Sequence, residues 1–85
     1  MIQGTYDIYN CGDCNYDVMF VRHDVMTASL KPKHLHGIEE LKNFMDSLAC
    51  PMTDEQIDKA RSGKPIDGFS VTVIDAEVYQ KYFLQ

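Results

Sequence analysis

Gly4-Thr5-Tyr6-Asp7-Ile8-Tyr9-Asn10-Cys11-Gly12-Asp13-Cys14-Asn15-Tyr16-Asp17-Val18-Met19-Phe20-Val21-Arg22 is the stretch that decides how this chain is read. Gly4 to Tyr9 alternates polar with aromatic or aliphatic side chains, and Tyr16 to Arg22 is a β-branched and aromatic run, so both ends read as strands. Cys11 and Cys14 then lie in the connection between them. Working outward, Val25 to Leu30 (VMTASL) alternates again after the short connection His23-Asp24, which predicts a third strand and a meander of three antiparallel strands.

From Ile38 the period changes. Ile38, Leu41, Phe44, Met45, Leu48 and Ala49 recur at three and four, one apolar stripe of a helix that must stop before Pro51. Thr53-Asp54-Glu55-Gln56 is a capping box opening a second, short helix. Met52 and Ile57 form its hydrophobic staple, Ile57 and Ala60 face inward, and Gly63 suits the left-handed position that ends it. Lys64 to Gly68 reads as a turn and Phe69 to Ile74 (FSVTVI) as a strand. Asp75 then caps a last helix with Val78, Tyr79, Tyr82 and Phe83 on one face. The predicted order is βββααβα, an α+β fold in which a small antiparallel sheet of about four strands is covered on one side by two to three helices.

A chain of 85 residues with 45% apolar and 25% charged residues is expected to be one globular domain, residues 1–85. Cores of this size contribute only ~3–5 kcal/mol, so a metal, a disulfide or an oligomer interface would be useful to it. MIQGTYDIYN lacks a basic start followed by an apolar run, and no stretch reaches the ~20 apolar residues of a membrane helix. A soluble, cytoplasmic protein is the expectation. In a reducing compartment three cysteines read as thiols or metal ligands rather than as a disulfide framework.

Thirteen acidic residues stand against eight basic ones, a net charge of −5. That balance argues against sequence-independent binding to a phosphate backbone. Residues 21–37 hold a basic block, Arg22, Lys31 and Lys33, together with His23, His34 and His36. Residues 38–60 are acidic, with Glu39, Glu40, Asp46, Asp54, Glu55 and Asp58 against Lys42 and Lys59. The acidic run is either a solvated helical face or a surface complementary to a basic partner.

Two cysteines separated by two residues can turn back on one tetrahedral metal ion, and such a loop curls through a left-handed residue, here expected at Asn15. Cys11-Gly12-Asp13-Cys14-Asn15-Tyr16 resembles the knuckle of rubredoxins and zinc ribbons. The resemblance covers these residues alone and departs from the family pattern where Asn15 replaces glycine and where no second knuckle follows. It implies metal ligation by Cys11 and Cys14, with zinc or iron as the ion. A redox dithiol would want Cys11 at a helix N-terminus, and inert core thiols are the third reading. The meander returns its third strand toward the cysteine loop, with His34 and His36 just beyond. His23 is ~25–30 Å away at the far end of the second strand. Cys50 lies ~16 Å along the first helix. The expected ligand set is therefore Cys11, Cys14, His34 and His36, with Cys50 as a substitute for one histidine. Four protein ligands would make the zinc structural.

No phosphate-binding glycine loop, nucleophile elbow or zinc-protease helix is present, so no enzyme is expected. A short, acidic chain of this kind is similar, as a class, to the small phage-encoded inhibitors that include the anti-CRISPR proteins. That resemblance implies a host partner with a basic nucleic-acid channel, such as a CRISPR effector nuclease, whose surface is blocked, and it transfers no residue; from the charge pattern, the expected docking face is Glu39, Glu40, Asp46, Asp54, Glu55 and Asp58. The competing expectation is a zinc-ribbon-like nucleic-acid module using Arg22, Lys31 and Lys33, with Tyr9 or Tyr16 stacking on bases.

Overall fold

β1 (Ile2–Gly12) and β2 (Asn15–Arg22) form the long antiparallel hairpin on which the rest is built. The computed structural model describes residues 1–24, 31–64, 66, 69 and 72–84, with Thr72 as backbone only. β3 (Lys33–His36) pairs antiparallel with β2, and β4 (Thr72–Ile74) pairs antiparallel with the start of β1. The sheet runs in the order β3-β2-β1-β4. Helices α1 (Ile38–Ser47), α2 (Asp54–Arg61) and α3 (Ala76–Tyr82) complete an α+β fold with the expected element order. The third strand is not built from the expected residues. Val25 to Leu30 lies outside the described residues, and the strand that pairs with β2 is Lys33–His36, read from sequence as a loop.

Residues directly opposite one another in an antiparallel pair share a face, so register sorts the side chains. Tyr6 faces Phe20, Ile8 faces Val18, and Tyr16 faces Leu35, and all six are buried. Leu41, Phe44 and Met45 from α1, Ala60 from α2, and Tyr79 from α3 with Phe83 just past its end join the same core. Its centre is aromatic: the Phe20 ring lies 5.9 Å from Phe83 and 5.4 Å from Tyr6. Gly4 makes room for this, because a Cβ there would sit 2.3 Å from the Val21 carbonyl oxygen and 2.5 Å from Phe20 Cζ.

The opposite face of the sheet carries Thr5, Asp7, Tyr9, Asn15, Asp17, Met19, Val21, His34 and His36, all half-buried or exposed. Helices therefore cover one side only, as the sequence pattern implies. The Cα radius of gyration, 12.0 Å, is that of a compact chain of this length. Among the described residues no helix is long and apolar enough to cross a membrane.

Helix ends follow local chemistry. The Thr53 hydroxyl accepts from Gln56 N–H at 3.2 Å while the Gln56 amide oxygen accepts from Thr53 N–H at 2.9 Å, so the predicted capping box is made. Gly63, at φ 74°, ends α2 as expected. α1 ends in the same way on Ala49, at φ 57°, with Cys50 N–H on the Met45 carbonyl and Ala49 N–H on the Asp46 carbonyl. Asp75 occupies the N-cap position of α3 but its side chain makes no capping hydrogen bond.

Candidate functional site

The hairpin tip is a two-residue turn. Gly12 pairs with Asn15, which leaves Asp13 and Cys14 as the two loop residues, at φ 51° and 62°. Two successive left-handed residues are what a type I′ hairpin turn requires. Cys14, not Asn15, thus takes the strained conformation; Asn15 is already the first residue of β2 and pairs with His36. The register shifts between Asn10 and Gly12, so Cys11 is the extra residue of a β-bulge, which re-aims its side chain.

The two thiols are coupled to different neighbours. Cys11 Sγ lies 3.9 Å from the Tyr9 carbonyl oxygen and feels the Asp17 carboxylate, which stands on the uncovered face of the sheet. Partial desolvation first, and then Asp17, push its thiol above the ordinary range. Cys14 instead acts electrostatically on the buried Tyr16 hydroxyl, which donates to the Ala60 carbonyl at 3.2 Å on the helix-covered side. Cys50 is partly buried against the core, where its thiol acts on Tyr6. Among the described residues no group of three or more His, Cys, Asp or Glu side chains is placed to hold a metal ion. The expected set of Cys11, Cys14, His34 and His36, or with Cys50 in place of a histidine, is not found as such a group among the described residues.

His34 and His36 do lie beside the hairpin, as the meander argument placed them, but they are strand residues with partners of their own. His34 Nδ1 is 2.7 Å from Asp17 Oδ1, and His36 Nδ1 is 2.8 Å from Asn15 Oδ1. Asp17 and Asn15 escaped the sequence reading. Their phase in YDVMFVR and its preceding asparagine put them on the face opposite Tyr16 and Val18, but nothing local says which strand will pair there. His23 sits at the other end of β2, where its N–H donates to the Gln3 carbonyl at 3.0 Å.

The basic block is largely occupied by the fold. Arg22 makes a two-pronged ion pair with Asp24 and lies 5.4 Å from the Tyr79 ring. Lys33 Nζ lies 5.8 Å from the Phe44 ring and 5.9 Å from the Tyr82 ring, on the helix side of the sheet. Tyr16 is 4% exposed, which removes it as a stacking platform.

All six carboxylates of the expected docking face are exposed. Four have a structural role as well: Glu39 and Glu40 stand in the first turn of α1, and Asp54 and Glu55 in the first turn of α2, where negative charge favours the helix. Glu40 also accepts from His36 N–H at 3.4 Å. Asp46 differs. It stands near the C-terminal end of α1, whose last turn has no basic residue, so its charge opposes the helix dipole. Next to that end, a shallow cleft of about 250 Å³ is lined by Met1, Leu48, Val73, Asp75 and Val78. Comparison with known proteins gives no matching family model, no similar curated protein and no similar solved structure.

Proposed function

We propose that the chain is a small acidic binding protein that docks on a basic protein surface in the cytoplasm of a host cell. It acts by covering that surface rather than by chemistry. A nucleic-acid channel of a CRISPR effector nuclease is the kind of partner this reading names, with the protein as its inhibitor. The observation that carries it is Asp46, an exposed carboxylate kept where it costs helix stability, beside a shallow cleft of mixed polar and apolar lining. Protein interfaces combine an apolar centre with a charged rim, and opposite charge on the partner speeds association. Net charge −5 and six exposed carboxylates on or near α1 and α2 supply the long-range part of that attraction.

The test is a titration of the protein against a purified CRISPR effector nuclease and, separately, against single-stranded RNA, at low and at physiological ionic strength. Binding to the nuclease that weakens with salt and is lost in the Glu39→Lys, Glu40→Lys, Asp46→Lys triple variant supports the reading. Binding unchanged by the triple variant overturns the docking face. RNA affinity reduced by Lys31→Ala with no affinity for the nuclease would turn the assignment to a nucleic-acid module.

A further inference from the structure

We propose that His34 and His36 form a two-imidazole site for a divalent transition-metal ion on the uncovered face of the sheet, with Asp17 and Asn15 holding the rings. The inference is independent of the docking face. It keeps the two histidines of the expected ligand set and leaves the cysteines out of it.

Residues i and i+2 of a strand point to the same face, with backbones about 6.5–7 Å apart, so His34 and His36 stand side by side on β3. Both are exposed, the His34 side chain at 61%. Each ring is engaged through the same nitrogen. Asp17 Oδ1 and Asn15 Oδ1 are acceptors, so each Nδ1 carries the proton and donates it. That tautomer leaves the lone pair on Nε2 of both rings, turned away from β2. A ligand histidine whose second nitrogen donates to a carboxylate or an amide oxygen is the arrangement that orients metal-bound imidazoles and raises their basicity.

The surroundings favour a cation. Asp17 brings a negative charge to the face. Lys33, the adjacent residue, turns to the other side of the sheet, over Phe44 and Tyr82. Two imidazoles with open coordination positions select zinc, nickel or copper, with copper tightest, and offer nothing to calcium or magnesium, which need several oxygen ligands. Water, or a side chain of a bound partner, fills the remaining positions. Binding weakens on acidification because an imidazolium has no lone pair to give.

The experiment uses untagged protein titrated with nickel chloride and with zinc chloride by calorimetry. Amide spectra are recorded in parallel while paramagnetic copper is added. The expected result is one ion per chain, with the resonances of Asn15, Asp17, His34 and His36 broadened first and no response to calcium. His34→Gln and His36→Gln each remove most of the affinity. Asp17→Asn, which keeps the ligands but weakens the hold on His34, lowers it roughly 10–100-fold. The Cys11→Ser, Cys14→Ser double variant binds as the native protein does. Undiminished affinity in His36→Gln, loss of binding in the double cysteine variant, or no broadening on β3 would each overturn the site. Circular dichroism of each variant separates lost ligands from a lost fold, and Asp17→Asn tests the assignment with both ligands intact.

Discussion

Tyr6 carries its hydroxyl into the aromatic core between Phe20 and Phe83, and among the described residues that hydroxyl is buried with no hydrogen-bond partner. A buried, unpaired polar group costs about 1–3 kcal/mol, so Tyr6→Phe is expected to raise stability by about 1 kcal/mol, seen as a higher urea midpoint. Burial first, and the neighbouring Cys50 second, also push the Tyr6 phenol well above its ordinary range. The folded state thus favours the neutral phenol. The stability tied to this group is complete below pH ~10, where the unfolded tyrosine ionises, and falls as the pH rises further. Urea unfolding repeated across alkaline pH checks the sign: the native protein should lose stability there faster than Tyr6→Phe. Equal losses would mean that the phenol stays accessible. Tyr6 itself was readable from sequence as an inward residue of an alternating strand. Its missing partner was not, since that depends on what the helices bring opposite it.

Two elements end on residues that dislike their backbone. Cys14 holds the second position of the hairpin turn at φ 62°, and Ala49 holds the left-handed position closing α1 at φ 57°. Glycine is the usual occupant of both positions, as Gly63 shows in the equivalent place after α2. Relief of left-handed strain, less the extra chain entropy of glycine, predicts that Cys14→Gly and Ala49→Gly each stabilise by about 0.5–1 kcal/mol in thermal or urea unfolding. The two are at different ends of different elements, so their effects should add. A loss of stability in Cys14→Gly would mean that the Cys14 side chain does more for the hairpin than its electrostatic effect on Tyr16 indicates. Capping box, helix stripe and Gly63 were all visible in the sequence, because each is a pattern within a few residues. The turn residues of the hairpin were misjudged by one position, since the bulge at Cys11 shifts the register and no local signal marks it.

At the scale of the whole molecule, the aromatic core depends on a close approach of two strands at Gly4, where β1 meets Phe20 and Val21. Gly4→Ala places a methyl group against both and is expected to cost about 1–3 kcal/mol, as overpacking does, lowering the melting temperature without a change in the exposed histidine face. A variant as stable as the native chain would show that β1 and β2 can separate there. The sequence by itself determined the class of the fold, the order of the elements, the core stripe of α1 and the one-sided covering of the sheet. These follow from periodicity and from capping and turn chemistry, which act over short separations. The tertiary structure alone decided that Lys33–His36 is the strand beside β2, that a bulge falls at Cys11, and that Asp17 and Asn15 meet His34 and His36. Strand pairing joins residues about 20 apart in the chain, and register, not composition, chooses which side chains share a face.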